Sequence, residues 1–563
     1  MFSASLVRWF PFLAWPRPDA TLLRGELWAG MTVGLMLVPQ GVAYAALAGM
    51  PLVTGIYASL IPALVAVLWG SSSRLSVGPT ALTSLLIGAS LTGLAEPGSA
   101  QWVALAAWMA LLTGVLQLLL GLVRFGWLLN LVTSPVLSGF TQAAALLILA
   151  SQLPALAGLR VPLGELLASP ALRHFDLLGA GMGVGSIAAL ALAKRFWPGF
   201  PAVIVVMGAA ALASQALGYA AGGGAVVGAL PAGLPQPYWP GALPWSTLGA
   251  LIMPVLVVTL VSFLETASSA KVEHQDGGTR WNENQDLIAQ GLAKISAGLC
   301  GSFTTSSSFS RSAINLYAGA RTGWATIFAC ALVLVALLWL TPALYHVPQA
   351  VLAAVVVTAI TGLIKPALLP QLWRISRVEA VIGLLTFAIT LAAAPNLYWG
   401  VLAGLVVNLS HFLYQRLHPR IIEVGLHPDG SLRDRHLWHL PPLAPHLLAL
   451  RMDAELDFAS ASALERTLSE RMADLPGLAH VCLFAQPINR VDVTGVETFA
   501  RLRALVQRHG CTLHISGLKL PVEQALERAG MLAAGPQLRT YRTDAETLQA
   551  LQQIGTTMPV ETA

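Results

Sequence analysis

A hydrophobic region running from about Trp28 to Tyr414 is interrupted twice by serine-rich stretches, Ser71–Leu82 (SSSRLSVGPTAL) and Ser306–Leu316 (SSSFSRSAINL). Lipid offers no partner to a free N–H or C=O, so a polar break at membrane depth must line protein or a water-filled cavity. One break stands in each half of the region, each carries an arginine (Arg74, Arg311), and each leads straight into apolar residues. Such a matched pair is what two inverted repeats place around a site near the bilayer midplane. The chain is therefore read as a polytopic α-helical membrane protein of about 14 segments. Its two repeats of seven segments are inverted, and each contains one half-helix.

Apolar stretches approaching the roughly 20 residues of a span lie near 28–48, 52–70, 101–123, 133–153, 177–193 and 200–218. The second half offers 249–264, 284–300, 323–344, 349–364, 378–394 and 398–415. A half-length segment after each break, 79–93 and 311–320, completes seven plus seven. Only 10% of residues are charged and mean hydropathy is +0.69, whereas soluble domains carry about 25% charged residues. After residue 440 the density becomes ordinary, with 13 acidic and 11 basic residues. There LLALRM (447–452), HVCLFA (480–485) and CTLHIS (511–516) read as strands. Helical stretches at Ser460–Met472, Thr494–Arg508 and Val522–Ala529 alternate with them, indicating an α/β domain with a mainly parallel sheet. The expected divisions are an N-terminal segment (1–27), a membrane domain (28–415, repeats about 28–218 and 249–415) and a Pro- and His-rich connector (416–446). The α/β domain (447–555) and a tail (556–563) follow.

Alternating the spans from a cytoplasmic N-terminus puts Arg124, Lys194, Arg195, Lys271, Arg280, Arg374, Arg377 and Arg416 inside. The outside loop Tyr219–Thr247 then contains no charge, as the positive-inside rule requires. The inner (plasma) membrane, with N-terminus and α/β domain cytoplasmic, is the expected location. A net charge of +5 without a basic stripe gives no reason to expect nucleic acid. Four cysteines lack metal spacing, His436-x-x-His439 has no Cys or carboxylate at ligand spacing, and no metal is expected. Neither a P-loop nor a nucleophile elbow is present, so neither cofactor nor enzymatic activity is expected. Three pairs with GxxxG spacing, Gly30/Gly34, Gly181/Gly185 and Gly400/Gly404, fit close packing within the chain or a dimer seam.

Pro79 suits the first turn of a helix, so a half-helix beginning near Gly78–Thr80 would aim free N–H groups into the membrane interior. Ser310, Arg311 and Ser312 would head a second one. Two such N-termini facing each other make an anion site built largely of backbone. Arg311 would add the fixed charge, unless it snorkels or pairs structurally. Glu265, in VSFLETASSAK (261–271), is the one carboxylate well inside the spans and could carry a proton or help hold Na⁺. A structural ion pair with Arg311 or Lys294 is the alternative. Gln40 and Tyr44, four apart in LVPQGVAYAA, share one helix face and would line the cavity or glue helices together.

These stretches carry a family resemblance. VPQGVAYAALAGMPLVTGIYASL (38–60), SVGPTAL (76–82), SFLETASSAK (262–271) and SSFSRSAINLYAGARTG (307–323) closely resemble signatures of the SulP anion permeases. The C-terminal domain resembles the STAS domain attached to them, with NRVDVTGVETF (489–499) at its characteristic loop. The likeness spans about residues 25–555. It implies a homodimeric transporter whose core and gate subdomains move against one another. Carried over, anion-binding positions fall on Gln40, Tyr44, Pro79, Thr80, Phe309, Ser310 and Arg311, and the carboxylate linked to cation coupling falls on Glu265. Val493 follows Asp492 where bacterial regulatory STAS domains usually have a phosphorylatable Ser. Some Na⁺-dependent relatives have Asp at the position of Glu265, so a proton is favoured over Na⁺. The expected activity is secondary active transport of a small anion such as sulfate, bicarbonate, chloride or a dicarboxylate, by symport or exchange. An anion channel, or a membrane sensor signalling through its STAS domain to a cytoplasmic protein, remains open.

Overall fold

The structure is a computed structural model that describes residues 9–159, 176–197, 202–277, 280–533 and 535–557. Part of the N-terminal segment, positions 200–201 of the span read at 200–218, and most of the 556–563 tail lie outside the described residues. The chain divides into two compact units, Met1–Asn408 and Leu409–Ala563.

The first unit consists of two helical series of the same form. The first runs α1 (Ala20–Leu47), α2 (Val53–Ala58) with α3 (Ile61–Trp69), β1 (Val77–Gly78) leading into α4 (Ala81–Leu91), α5 (Ala100–Leu122), α6 (Ser134–Leu156), α7 (Leu177–Phe196) and α8 (Ala202–Ala216). The second runs α9 (Trp245–Gly277), α10 (Glu283–Leu299), β2 (Ser306–Ser307) leading into α11 (Phe309–Tyr317), α12 (Trp324–Val335) and α13 (Gln349–Thr361). A short helix α14 (Leu368–Ile375) precedes α15 (Arg377–Ala392) and α16 (Tyr398–Leu417). Contacts between the series are reciprocal: α5 packs on α10 and α12 on α3, while α1 packs on α12 and α9 on α5. Among the described residues, six helices are long and apolar enough to cross a membrane, and four shorter apolar ones accompany them.

Helix α1 begins earlier than the span read from sequence, because the Asp19 carboxylate accepts from Leu22 N at 2.6 Å and caps it. Glu26 is thereby carried inside the protein. Its carboxylate accepts from Arg321 N, Thr322 N and Ala325 N at 2.8–2.9 Å, satisfying the open N–H groups that start α12. Helix α10 carries Asp286, Gln290 and Lys294, all buried, and is shielded rather than lipid-facing. Glycines make that possible: a Cβ on Gly291 would sit 2.7 Å from the Gly114 carbonyl of α5. Two of the GxxxG pairs also pack within the chain, Gly30/Gly34 on α12 and Gly400/Gly404 on α15, whereas Gly181 and Gly185 meet nothing within 4 Å.

The second unit is a six-stranded sheet in the order β4-β3-β5-β6-β7-β8. Strands β5 (Leu447–Met452), β6 (His480–Phe484), β7 (Thr512–Ser516) and β8 (Leu538–Tyr541) are parallel. They alternate with α17 (Ala461–Asp474), α18 (Val493–Arg508) and α19 (Leu520–Arg528), and α20 (Asp544–Thr557) follows. The stretch read as a connector contributes two strands, β3 (Ile421–Leu426) and β4 (Leu432–Asp434), antiparallel to each other. Pro428-Asp429-Gly430 makes the turn between them, with Gly430 at φ 83° and His427 N donating to Ser431 O. His436 of this stretch lies 3.1 Å from Glu423, itself bonded to Arg435.

Inside the sheet His514 is fully buried, with Nδ1 3.0 Å from the Tyr541 hydroxyl and Nε2 3.2 Å from His480 Nδ1. Burial first, then His480 and Arg539, push its pKa down to about 4. Burial, Arg539 and His446 lower that of His480. An unfolded histidine titrates near 6.5, so acidification protonates the unfolded chain first. Stability of this unit is expected to be level above pH about 6.5 and to fall as pH drops toward about 4. Denaturant titrations of the C-terminal unit across this window check it. His514→Phe should flatten the slope, and an unchanged slope would assign the loss to carboxylates instead.

Candidate functional site at the paired helix breaks

The two serine-rich breaks satisfy one another. Strands β1 and β2 pair antiparallel, Val77 with Ser307 and Gly78 with Ser306. Ser308 N donates to Ser76 O at 3.0 Å, and Ser76 N donates to the Ser312 hydroxyl at 3.0 Å. Backbone groups that would be orphaned in lipid thus find partners in the opposite repeat.

Each break then starts a helix, in a register slightly different from that read in the sequence. Pro79 stands just outside α4 instead of in its first turn, and Thr80 is the cap, its hydroxyl accepting from Thr83 N. A hydroxyl can accept from the helix N–H groups where a proline ring cannot, so the boundary moves to Ala81. On the other side Ser308 caps α11 by accepting from Arg311 N. Phe309, Ser310 and Arg311 occupy the first turn of α11.

From that first turn the Arg311 side chain, 1% exposed, crosses to the other repeat. Its Nε donates to the Ser76 hydroxyl (3.2 Å), one terminal nitrogen to Gln40 Oε1 (3.1 Å) and the other to the Pro79 carbonyl (3.0 Å). All three acceptors are neutral. Gln40 and Tyr44, one turn apart on α1, are both buried. Glu265 on α9 accepts from the Thr80 hydroxyl at 3.0 Å and lies within electrostatic reach of Arg311 and Lys294. Among the described residues no ion pair joins Glu265 to either cation, so the structural-pair alternative for Glu265 finds no contact here. Phe309 (55% exposed) and Ser310 stay outside this buried network and face open space, the Ser310 hydroxyl 3.3 Å from that of Ser308.

Further groups brace the site that no local sequence motif marks for this role. Asp286 accepts from the backbone N–H and hydroxyl of both Ser71 and Ser72 and from Trp281 Nε1, at 2.5–3.1 Å. That holds the lead-in to the first break. Lys294 Nζ lies 3.4 Å from Gln290 Oε1, and Gln290 Nε2 donates to the Ser307 hydroxyl. Asp286, Gln290 and Lys294 recur every four residues, the one local sign that they share a helix face. Glu273 holds Arg74 at 3.2 Å, and Asn315 donates to the Arg74 carbonyl, so Arg74 anchors the break and stays out of the site.

Residues 23–386 match the sulfate permease family and residues 442–546 match the STAS domain. The "Probable sulfate transporter" of Mycobacterium tuberculosis (strain CDC 1551 / Oshkosh) is 31% identical over 542 residues, covering 94% of this chain and 96% of its own. "Sulfate transporter 4.1, chloroplastic" of Arabidopsis thaliana is 30% identical over 558 residues, with 94% and 81% covered. In fold the chain is similar to murine solute carrier 26 family member A9, an anion transporter solved in the inward-facing state. The TM-score is 0.87 at 20% identity, with 98% and 95% of the two chains covered.

Gln40 is positioned by a close approach of α1 and α2. A Cβ on Gly55 would run into the Gly41 carbonyl, next in the chain to Gln40. Gly55→Ala must therefore push α1 away, at about 1–3 kcal/mol for overpacking, and shift the Gln40 acceptor off Arg311. The expected outcome is a lowered melting temperature together with weakened anion binding. Gly93→Ala, where nothing lies within 4 Å, is unsuitable as a control because its φ is 87°; Gly25→Ala, in open space on a helix, is the control and should hold or raise the melting temperature. Equal behaviour of Gly55→Ala and Gly25→Ala would refute the positioning.

Proposed function

The chain belongs to the sulfate permease family, and from that premise we propose that it is a secondary active transporter of a small anion, working by alternating access. The relatives are named as transporters, and the chain is not an enzyme. One observation carries the reading: Arg311 is buried at the junction of two helix N-termini and bonded only to neutral acceptors. Its charge is compensated by no ion pair among the described residues and is left for a ligand. An Arg at a span centre costs about 2.5–3.5 kcal/mol, a cost that recruiting an anion gives a use.

Gln40, Tyr44, Pro79, Thr80, Phe309, Ser310 and Arg311 form the binding site. Gln40 and Pro79 hold the guanidinium, the heads of α4 and α11 supply backbone N–H groups, and exposed Phe309 and Ser310 border the open side. Sulfate is the first choice of substrate because two relatives are named for it. Bicarbonate, chloride and dicarboxylates are the competitors. Glu265 couples transport to a proton: its carboxylate takes the Thr80 hydroxyl, the cap of the helix that presents the anion. The protein is a multi-pass membrane protein. The cation asymmetry of its loops supports residence in the inner membrane with both termini cytoplasmic. Family resemblance supports a homodimer whose STAS domain is available to a cytoplasmic protein partner.

Uptake into proteoliposomes, with a panel of labelled anions and with or without a pH gradient, tests this. Arg311→Ala should weaken every anion by about 1.5–3 kcal/mol, as for a hydrogen bond to a charged group, and divalent ones most because attraction scales with charge. Ser310→Ala, which leaves the backbone donors, should cost about 0.5–1.5 kcal/mol. Glu265→Gln mimics the protonated acid, so anion binding should persist while acceleration by an inward proton gradient disappears. A mutant that keeps full gradient dependence removes Glu265 from coupling. Unsaturable, gradient-independent flux in the wild type would make the protein a channel.

A further inference from the structure

An apolar groove of about 260 Å³ opens between α6, α14 and α15. Gly139, Leu146, Leu369, Leu372, Leu384 and Phe387 form its walls, and Lys365 stands among its lining residues. The one amide there, Gln142, is already used: its Nε2 donates to Leu363 O and its Oε1 accepts from Lys365 N. The groove therefore offers an incoming molecule hydrocarbon along most of its length, the Ser138 hydroxyl and the Lys365 ammonium group. Beside it α14 (LLPQLWRI) leaves Leu369, Trp373 and Ile375 exposed, with Arg374 and Arg377 at its far end. Among the described residues, the side chains of Lys365, Arg374 and Arg377 make no ion pair or hydrogen bond.

We propose that this groove is a binding site for an anionic phospholipid, one acyl chain lying in the groove and the phosphate resting on Lys365. A short amphipathic helix with apolar residues on one side and cations at its ends lies in the membrane interface, which brings the groove to headgroup depth. Lys365, just before α14, and Arg374, in its last turn, stand at opposite ends of a helix of eight residues, about 12 Å long at 1.5 Å per residue, too far apart for one phosphate. Lys365 takes the phosphate, and Arg374 and Arg377 raise the local density of anionic lipid. A second copy of the chain is a poorer occupant, because a two-fold contact over this patch would bring its cations against their own copies. The groove also runs beside the crossing of α6 and α15, where a Cβ on Gly139 would strike the Gly383 carbonyl. The lipid thus sits at the closest approach of two helices.

The test is lipid retention by the full-length protein in detergent, read by native mass spectrometry with phosphatidylglycerol and phosphatidylcholine in competition. Wild type should retain about one phosphatidylglycerol per chain, preferred over phosphatidylcholine. Lys365→Gln, an exposed change with no fold partner to lose, should cut that preference about five-fold, the effect of one surface lysine. Leu384→Trp should fill the groove and abolish retention of both lipids, with an unchanged melting temperature showing that the fold persists. The Arg374→Gln, Arg377→Gln double change should lower retention only at low salt. Equal retention of the two lipids, full preference in Lys365→Gln, or retention in Leu384→Trp would each overturn the proposal. The readout is binding alone, so it is independent of which anion is moved.

Discussion

The rest of the membrane unit depends on the cross-pairing of two interrupted segments, one from each repeat. A helix that breaks in lipid leaves backbone groups whose burial without a partner costs several kcal/mol each. Here β1 supplies the partners of β2, and Arg311 of the second repeat bonds Ser76 and the Pro79 carbonyl of the first. Neither half can complete its own break. The seven-plus-seven arrangement is therefore more than a duplicated sequence of spans: the half-helices α4 and α11 exist at these positions because the opposite half closes the gap.

That closure also sets the electrostatics. Three hydrogen bonds to neutral oxygens orient the guanidinium and offset part of its insertion cost, but they transfer no negative charge to it. Two helix N-termini add partial positive charge at the same place, each contributing about 0.3–1 kcal/mol or more when partly buried. Glu265 is the counterweight. It touches Thr80 rather than Arg311, and Thr80 is covalently next to Pro79, whose carbonyl holds Arg311. Protonating Glu265 would thus be felt at the cap of α4 and, one peptide further, at the arginine. A carboxylate bonded straight to Arg311 would instead neutralise the charge that the proposed site offers an anion.

Much of this was readable from residues alone, because lipid makes polar interruptions costly and therefore meaningful. The two breaks, the half-helices after them and Arg311 at the head of one follow from that rule, whereas Gln40 enters by its place on a helix face and by family resemblance. What local pattern could not supply is partnership across the chain. Glu26 and Asp286 look like ordinary flanking charges until their partners are known. Asp286 bonds serines more than 200 positions away, with a separation of 215 from Ser71, and Glu26 bonds backbone 295 or more positions away. The start of α4 lies two residues beyond Pro79 for a different reason: Pro79 fits a first helical turn by its own geometry, and only the competing hydroxyl of Thr80 decides. Strands β3 and β4 are hard to read locally although Pro428-Asp429-Gly430 is a turn signal, because histidines and prolines around them dilute the alternation.

The distribution of polar ties also bears on how the proposed site would open to either side. Asp286 with Ser71 and Ser72, Arg74 with Glu273, Glu26 with the start of α12, and Gln117 with Thr259 and Ser262 all join elements among α1–α5 and α9–α12. Gln142 with Leu363 and Thr133 with Asn408 join elements among α6–α8 and α13–α16. Among the described residues the helices of the two sets meet through apolar contact, with Val33, Leu37, Val38 and Val42 of α1 in one cluster with Val351, Val355 and Val356 of α13. Buried hydrogen bonds are lost outright when a helix shifts by an ångström or two, whereas apolar surfaces exchange one set of contacts for another at small cost. A motion that exposes the paired breaks therefore meets least resistance along the apolar seam. It would carry Arg311, Gln40, Thr80 and Glu265 together and leave their mutual distances intact.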